Sequence, residues 1–408
     1  MRKGWAKLLL LSFPILVNAQ SFTEISQFAG VNHQHYHHSL MGGGAGFFDC
    51  NNDGFEDLYL TGADGPDHFF NNNGDGNFLD ITSTAGFDVV ANIKTAGAFP
   101  GDFDNDGDED LFLTTNSLTH NLLFENMGNG VFEDISFQAN VADTSHSATA
   151  TFGDYNQDGY LDLYVGNHVS LELFPWEPNP DFFYLNNGDG TFTDIYSMFN
   201  LGDTVTSTLA LAFTDYDFDS DLDLMVISDF GMEFHGNLLF RNEFPLDSFT
   251  NVSNQTGWYL EHNSMGVAKG DYDEDGDFDY YITDIGANEL MNYENGSFTN
   301  TAIYAGVADS VAFIGQPGPP FGTQTVGWGT AFFDYNNNTY LDLYLCNGAL
   351  VFGLTVDKNR FFKNNDADGT FTDISDSAGV GYLGNSKGMA VADYDNDGDL
   401  DMLVNANS

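Results

Sequence analysis

Basic residues are scarce in this 408-residue sequence, which has 10 Lys and Arg against 61 Asp and Glu and a formal net charge of −51 at pH 7. A surface this acidic repels phosphate backbones and anionic lipid headgroups. Nucleic acid and membrane surfaces are therefore excluded as expected partners. Disorder is not expected either, because 15% of the residues are aromatic and disordered chains have few aromatic residues.

Cysteine is nearly absent as well. Cys50 and Cys346 are the two cysteines of the chain, too few for the disulfide framework of small secreted domains. They lie far apart in sequence, so we expect free thiols, with an intramolecular bridge as the alternative.

The usual catalytic motifs are missing. The sequence has no nucleophile elbow, no HExxH pair, no phosphate-binding glycine loop and no CxxC. Carboxylates are so abundant that proximity alone cannot nominate the acid and base of a glycosidase. We therefore predict that the protein is not an enzyme, and keep a polysaccharide-acting enzyme as a third alternative.

The first residues have the order of a secretory signal peptide. Arg2, Lys3 and Lys7 accompany an apolar stretch over 8–17 and a small-residue site that ends at Ala19. This stretch is too short to span a bilayer, and no later one is long enough. The sequence predicts a signal peptide over 1–19, a location outside the cell or at its surface, and one domain over 20–408.

One acidic motif, D-x-[DN]-x-[DN]-[GST]-x-x-D, recurs seven times at intervals of about 57 residues, each time between two short apolar runs. In six copies a β-hairpin pattern follows, in which an Asn/Gly/Asp turn separates two further apolar runs. These hairpins occupy 67–82, 121–136, 181–196, 237–253, 289–300 and 359–375.

Each unit therefore predicts four short strands. A small residue stands five places before each motif, as expected of inner strands that crowd around one axis: Gly44, Gly97, Thr149, Ala210, Gly266, Gly329 and Gly388. The fold class predicted is all-β, a seven-bladed β-propeller, with an open solenoid as the alternative. The seventh unit lacks its hairpin, so we expect residues 21–26 to pair beside it and close the ring.

The acidic motif predicts a calcium loop between the first two strands of each blade. Oxygen-bearing side chains stand at positions 1, 3, 5 and 9, as in the first part of an EF-hand loop, and such hard ligands suit Ca²⁺. The alternative is a solvated turn, which Asp and Asn also favour, but clustered carboxylates would repel one another without a cation. Several Ca²⁺ ions are expected, one in each loop, with the loop over 334–342 weakest because it has only two carboxylates.

The predicted ligands, loop by loop, are Asp49, Asn51, Asp53 and Asp57; Asp102, Asp104, Asp106 and Asp110; Asp154, Asn156, Asp158 and Asp162; Asp215, Asp217, Asp219 and Asp223; Asp271, Asp273, Asp275 and Asp279; Asp334, Asn336, Asn338 and Asp342; Asp393, Asp395, Asp397 and Asp401.

These loops resemble the FG-GAP/VCBS repeats of integrin α-subunit propellers. Together with FTEISQFAGV, MGGGAGFFDCNNDGFEDLYLTG and the NNGDGTFTDI hairpin, they are similar to the cartilage-acidic-protein-like (ASPIC/UnbV) group, over roughly 21–408. The resemblance implies a secreted calcium-binding propeller that acts as an interaction or adhesion module, with an extracellular protein or glycan as partner. A carbohydrate-binding, lectin-like propeller is the alternative.

Three further features are expected near partner surfaces. Histidines cluster at His33, His35, His37 and His38, and with His146 and His262 they could ring one end of the channel as a metal or ligand site. Polar loop residues are the alternative explanation for them. The insertions over 168–181 and 311–326 depart from the repeat and are expected to be exposed loops that contribute to partner binding.

Overall fold

A computed structural model of the protein describes residues 21–33, 43–116, 119–169, 179–199, 205–309, 325–349 and 357–407. These residues form antiparallel sheets in which strands follow one another in sequence order. No helix among these ranges is both long and apolar enough to cross a membrane.

Six sheets have four strands each, as the repeat predicts. Their bounds are β1 Ala45–Phe48, β2 Asp57–Leu60, β3 His68–Asn72 and β4 Phe78–Asp80 in sheet 1; β5 Thr95–Gly101, β6 Asp110–Thr115, β7 Leu122–Asn126 and β8 Phe132–Asp134 in sheet 2; β9 Ser147–Gly153, β10 Asp162–Asn167, β11 Phe182–Asn186 and β12 Phe192–Asp194 in sheet 3; β13 Thr208–Thr214, β14 Asp223–Ser228, β15 Leu238–Asn242 and β16 Phe249–Asn251 in sheet 4; β17 Ser264–Gly270, β18 Asp279–Asp284, β19 Glu289–Glu294 and β20 Ser297–Asn300 in sheet 5; β21 Gly327–Phe333, β22 Asp342–Asn347, β23 Arg360–Asn364 and β24 Phe371–Asp373 in sheet 6.

Sheet 7 contains only two strands, β25 Asn385–Ala392 and β26 Asp401–Asn407. The prediction of seven blades is therefore wrong in its count, since the structure has six four-stranded blades. The physical reason is that no described residue pairs with the outer edge of β26. The first strands nonetheless contact one another in the order β1, β5, β9, β13, β17, β21, β25 and back to β1, so the ring closes around its axis as a β-propeller.

Short helical turns follow the outer strands. They are α1 Ser26–Ala29, α2 Ser253–Thr256, α3 Ala302–Ala305 and the 3-10 turns Phe87–Val90 and Tyr196–Phe199. Glycines close several of these turns with positive φ, and Gly86 lies so near the next sheet that a Cβ would come within 2.3 Å of the carbonyl oxygen of Phe132. Each turn thus fastens one sheet to the next.

Residues 21–26 lie beside sheet 7 but do not pair with it. The backbone N–H of Phe22 donates to the carbonyl oxygen of Ala378 (3.0 Å), as Phe132 does to Ala85 (2.8 Å) in sheet 2. The Phe22 ring packs against Phe361 in the same apolar cluster as Met402 and Val404. The segment therefore lies in the place of a fourth strand, and no described residues form a third strand between it and β26.

Apolar side chains fill the spaces between neighbouring sheets. The second strands are the most deeply buried, with every residue of β6, β10, β14, β18 and β22 inside. Both cysteines are buried and free, as expected from their spacing. Cys50 Sγ lies 2.7 Å from Asp57 Oδ2.

The small residues predicted on the inner strands do face a crowded axis. An added Cβ would lie 1.9 Å from the carbonyl oxygen of Gly43 at Gly388, and 2.7 Å from the Cα of Gly97 at Gly44. Real Cβ atoms do not approach backbone so closely, so only glycine fits at Gly388 and Gly44, whereas the same position admits Thr149 and Ala210 on β9 and β13.

We expect Gly388→Ala to destabilise the protein by about 1–3 kcal/mol, because overpacking against backbone forces the two strands apart. Thermal unfolding of the two variants is the measurement. Gly46→Ala is the matched control on β1, where the new Cβ would meet its nearest atom at 3.6 Å, and its unfolding should stay close to that of the native protein. Equal melting temperatures for the two variants would contradict the crowding at Gly388.

Candidate functional site

The acidic loops share one backbone conformation. In every loop the backbone N–H of position 6 donates to an Oδ2 of the position-1 aspartate, as Gly107 does to Asp102 at 3.1 Å. Position 4 has a positive φ in all seven loops, and so does position 6. Each loop therefore wraps around its first aspartate in the same way, between the first two strands of its sheet, as predicted.

Ser220 and Thr339 depart from glycine at position 6 but keep its conformation. Both have φ 78°, and both side chains are exposed. Left-handed backbone costs a residue with a Cβ roughly 1–2 kcal/mol. At position 6, loops 4 and 6 therefore contain local strain that the glycine of the other five loops avoids.

Carboxylates of positions 1, 3 and 9 meet in four loops. Their ligand atoms all lie within 4.8 Å of one another, and each group could hold a metal ion. The four groups are Asp102, Asp104 and Asp110; Asp215, Asp217 and Asp223; Asp271, Asp273 and Asp279; Asp393, Asp395 and Asp401. Loops 1, 3 and 6 have Asn51, Asn156 and Asn336 at position 3, and the position-5 residues are not in these groups.

Several oxygens of these groups are buried and have no hydrogen-bond partner in the described part of the chain. They are Asp217 Oδ1, Asp273 Oδ1, Asp279 Oδ2 and Asp393 Oδ1. A buried polar atom without a partner is costly. The donor set is oxygen alone, so these groups fit a hard divalent cation such as Ca²⁺.

The position-9 aspartate is a structural anchor as well as a candidate ligand. Asp110 is buried; its Oδ2 accepts from the backbone N–H of Phe103 (3.1 Å) and its Oδ1 from that of Asn126 on β7 (2.8 Å). Burial raises the pKa of Asp110 to about 8. The same cause raises the pKa of Asp223 and of Asp279 to about 8.

Side chains at position 4 link neighbouring loops, a role that the motif did not predict. Asn105 Nδ2 donates to the carbonyl oxygen of Gly159 in the next loop at 2.7 Å. Equivalent bonds join loops 1 to 2, 3 to 4, 6 to 7 and 7 to 1. The last of them, from Asn396 to Gly54, crosses the seam of the ring. In loop 4 Phe218 replaces the amide and stacks on Phe278.

The histidines do not gather at one site in the described residues. His33 contacts His68 in sheet 1, while His262 Nδ1 lies 2.6 Å from Glu289 Oε1 and 4.0 Å from Asp284 Oδ2 in sheet 5. Sequence reasoning flagged His262 but missed its acidic partners, because they lie outside the repeated motif. Their three ligand atoms form a further group able to hold a metal ion, and the bond to Glu289 raises the pKa of His262.

Some predictions fall outside the described residues. They are the signal peptide over 1–19, His35, His37 and His38, and most of the two insertions, over 170–178 and 311–324.

Comparison with known families gives the repeat its identity. The fold is that of an all-β propeller with one acidic loop in each sheet. The FG-GAP-like repeat family matches residues 49–113, 102–165 and 350–404. The protein carries FG-GAP-like repeats, and the resemblance drawn from the sequence is confirmed.

Two curated relatives are similar to the chain. The T-cell immunomodulatory protein homolog of Plasmodium falciparum is 26% identical over 360 residues, which are 79% of this chain and 45% of the relative. Cartilage acidic protein 1 of Xenopus tropicalis is 30% identical over 118 residues, 28% of this chain and 18% of the relative. The chain thus spans less than half the length of these relatives.

Among solved structures, one of an Agrocybe aegerita lectin, described as recognising non-reducing terminal N-acetylglucosamine, aligns with a TM-score of 0.47 and 16% identity. The alignment covers 81% of this chain and 79% of the lectin chain.

Thr339→Gly should stabilise the protein by about 0.5–1 kcal/mol, because the gain from relieving left-handed strain exceeds the entropy that glycine adds to the unfolded chain. Thr339→Ala keeps a Cβ and should change little. Gly107→Ala tests the converse. The φ of Gly107 is 93° and no atom lies within 4 Å of the added Cβ, so the loss of stability in this variant reflects backbone strain alone. Chemical denaturation measures all three, and a destabilised Thr339→Gly would contradict the strain.

Proposed function

We propose that the protein is an extracellular calcium-binding propeller that serves as an interaction or adhesion module. The observation that carries the calcium part is the meeting of three carboxylates in each of four loops, with ligand atoms within 4.8 Å of one another. Burial in the first place, and repulsion by the neighbouring carboxylates in the second, raise the pKa of the position-9 aspartates in these loops, and a bound cation would offset both effects.

Calcium suits these loops better than other common cations. It accepts about six to eight oxygen ligands in flexible geometry, whereas Mg²⁺ demands a near-ideal octahedron and Zn²⁺ prefers nitrogen and sulfur. Positions 1, 3 and 9 would hold the ion, and position 5 and a loop carbonyl would complete the set. Bound calcium would supply the positive charge that the loops lack.

Loops 2, 4, 5 and 7 should bind most strongly, since they contain four aspartates each at the ligand positions. Loops 1 and 3 keep three carboxylates, with an amide oxygen at position 3. Loop 6 keeps only Asp334 and Asp342, so it should bind weakest or stay empty.

The interaction role rests on three further supports. The repeats are FG-GAP-like, and similar proteins are named as an immunomodulatory protein homolog and a cartilage acidic protein. The described residues and the sequence offer no recognised catalytic motif. A formal charge of −51 favours cationic partner surfaces, because opposite charge steers association.

Cell-surface binding tests this role. Labelled protein is added to intact cells in calcium or chelator, before and after the cells are treated with protease or with glycosidases. Calcium-dependent binding that protease removes supports a protein partner. Binding that only glycosidases remove supports the lectin-like alternative, and absence of any calcium-dependent binding would contradict the module.

Calcium should raise the melting temperature. At a concentration ten times Kd, each occupied loop adds about 1.4 kcal/mol. The folded calcium-free protein holds extra protons between the unfolded aspartate pKa near 4 and the raised values of about 8. Its stability should therefore fall as pH rises through that window, and the calcium-induced shift should be larger at about pH 8 than at about pH 5. Scanning calorimetry in calcium and in chelator measures both effects, and equal melting temperatures at about pH 8 would argue against calcium.

Asp271→Ala should reduce calcium stabilisation more than Asp334→Ala. Both aspartates accept the backbone N–H groups of positions 5 and 6 of their loops. Asp334 also accepts that of Asn336, and comparing each variant with and without calcium separates this structural loss from the loss of calcium stabilisation. Asp271 belongs to a four-aspartate loop, whereas Asp334 shares its loop with one other carboxylate. The measurement is the melting-temperature difference between calcium and chelator for each variant.

Asn336→Asp is the reciprocal control, because it restores the third carboxylate of loop 6 and should increase calcium stabilisation. A larger loss from Asp334→Ala than from Asp271→Ala would reverse the ranking of the loops.

A further inference from the structure

Three side chains of metal-binding types meet at the end of sheet 5 opposite its acidic loop. His262 lies just before β17, Asp284 ends β18 and Glu289 begins β19. The acidic loop of this sheet joins the other ends of β17 and β18. We propose that His262, Asp284 and Glu289 form a binding site for a divalent transition metal, with Zn²⁺ as the best fit. The inference goes beyond the calcium loops and does not depend on them.

The ligand atoms of the three residues already lie close together. Each is within 4.8 Å of the other two, and His262 Nδ1 is 2.6 Å from Glu289 Oε1 and 4.0 Å from Asp284 Oδ2. Zinc binds nitrogen and oxygen at about 2.0–2.2 Å, so its ligands lie roughly 3.4 Å apart in tetrahedral geometry. The exposed imidazole of His262 can provide this separation by a small rotation, while the two buried carboxylates stay in place.

Glu289 has a carboxylate oxygen that no described residue binds. The side chain is only 3% exposed, and its Oε2 is buried without a hydrogen-bond partner in the described part of the chain. The other oxygen, Oε1, is bonded to His262. A buried polar atom without a partner costs free energy. A cation held by this carboxylate would give Oε2 the partner that it lacks among the described residues.

The charges of the group also favour a divalent cation. Asp284 and Glu289 are both buried, and Asp284 accepts one hydrogen bond from Ser264 Oγ at 3.2 Å. Burial, followed by the charge of Glu289, raises the pKa of Asp284, and the nearby His262 offsets this only in part. Burial raises the pKa of Glu289 as well. One histidinium can neutralise one of the two carboxylates, whereas a divalent cation matches the charge of both.

None of the other five described sheets with four strands has this pair of carboxylates. Asp284 lies five places after the position-9 aspartate, and Glu289 is the first residue of the third strand. In the other five sheets the first of these places is occupied by Gly, Thr, Asn or Ser, and the second by His, Leu, Phe or Arg. The blade architecture therefore does not require acidic residues here, and their presence in one sheet indicates a local role.

Backbone contacts hold the three residues in position. The carbonyl oxygen of His262 accepts the N–H of Gly231 at 2.8 Å, and an added Cβ at Gly231 would lie only 2.5 Å from that oxygen. Between β18 and β19, the backbone N–H of Asp284 donates to Asn288 Oδ1 at 2.9 Å, which fixes the turn that separates the two carboxylates. The ligands are therefore arranged before an ion binds, as an effective metal site requires.

The donor set favours Zn²⁺ over the ion expected in the acidic loops. Imidazole nitrogen is a common ligand of zinc and other transition metals, whereas Ca²⁺ and Mg²⁺ take oxygen ligands. Zinc sites with three protein ligands leave a further position for water or another ligand. The His262 side chain is 48% exposed, so an ion can approach the two carboxylates along the imidazole.

Zinc binding to the 408-residue chain tests the site. Equilibrium dialysis against Zn²⁺ in excess Ca²⁺ should show that the native protein binds one more equivalent of zinc than His262→Ala does. Zinc bound elsewhere, for example by the histidines over 33–38, would remain in the variant. Glu289→Gln keeps the shape of the side chain and should weaken zinc binding at this site about tenfold or more. Equal zinc binding by the native protein and His262→Ala would overturn the proposal.

Two controls separate a metal site from its alternatives. Glu261→Gln removes the same charge from an exposed residue outside the group and should leave zinc binding unchanged; a loss equal to that of Glu289→Gln would reduce the effect to general electrostatics and overturn the site. Diethyl pyrocarbonate acylates accessible neutral imidazoles, so Zn²⁺ should protect His262 in the native protein but not in Glu289→Gln, as read by mass spectrometry. An ion pair of His262 with Glu289 that binds no metal would leave this modification insensitive to zinc, and that result would also overturn the proposal.

Discussion

The position-9 aspartate is the constraint on which the rest of the propeller depends. It is buried in sheets 1 to 6, where its two oxygens reach from the acidic loop to the third strand. A carboxylate in such a place is stable only if it is protonated, hydrogen-bonded or beside a cation. Asp342 combines hydrogen bonding with a tendency to be protonated. Its oxygens accept the backbone N–H groups of Tyr335 and Asn364, and burial still raises its pKa to about 7. Each of these six sheets therefore has a buried carboxylate whose negative charge must be compensated.

Side chains from neighbouring sheets provide hydrogen bonds that hold the acidic loops in place. The third-strand asparagine lies beside the position-9 aspartate of its own sheet and donates to the loop of the preceding one, as Asn186 does to Phe103. The position-4 amide donates the opposite way around the ring, to the following loop, as Asn105 does to the carbonyl oxygen of Gly159. Loops 1, 2, 3 and 7 are thus held by both neighbours. A change in the charge of one loop is expected to affect the adjacent sheets, because side chains from those sheets donate hydrogen bonds to its backbone carbonyls.

Local patterns predicted most of the fold. Alternating apolar residues and Asn/Gly turns identify four strands in a unit, and small residues such as Gly388 identify the inner ones, since these properties depend on near neighbours in sequence. The contacts from Asn126 and Asn396 to other sheets depend on the curvature of the ring, which no single repeat encodes. The group of His262, Asp284 and Glu289 was missed for a related reason: its members come from different strands and occur once. The predicted ligands lie on loops with one shared backbone conformation. The carboxylates that come together, in four of these loops, are those of positions 1, 3 and 9.

The seam of the ring lies beside sheet 7, which has two described strands where the other sheets have four. At the axis, β25 contacts β1 and β21, and at the acidic rim Asn396 reaches Gly54. Towards the outside, the seam depends on Phe22 and on α1, whose following Gly30 lies against Phe78 as Gly86 lies against Phe132. Contacts at the axis and contacts at the outside are both present in the described residues. The seam is therefore held at the axis, at the acidic rim and at the outside by residues from opposite ends of the described chain, so a change at any one level acts on contacts between residues far apart in sequence.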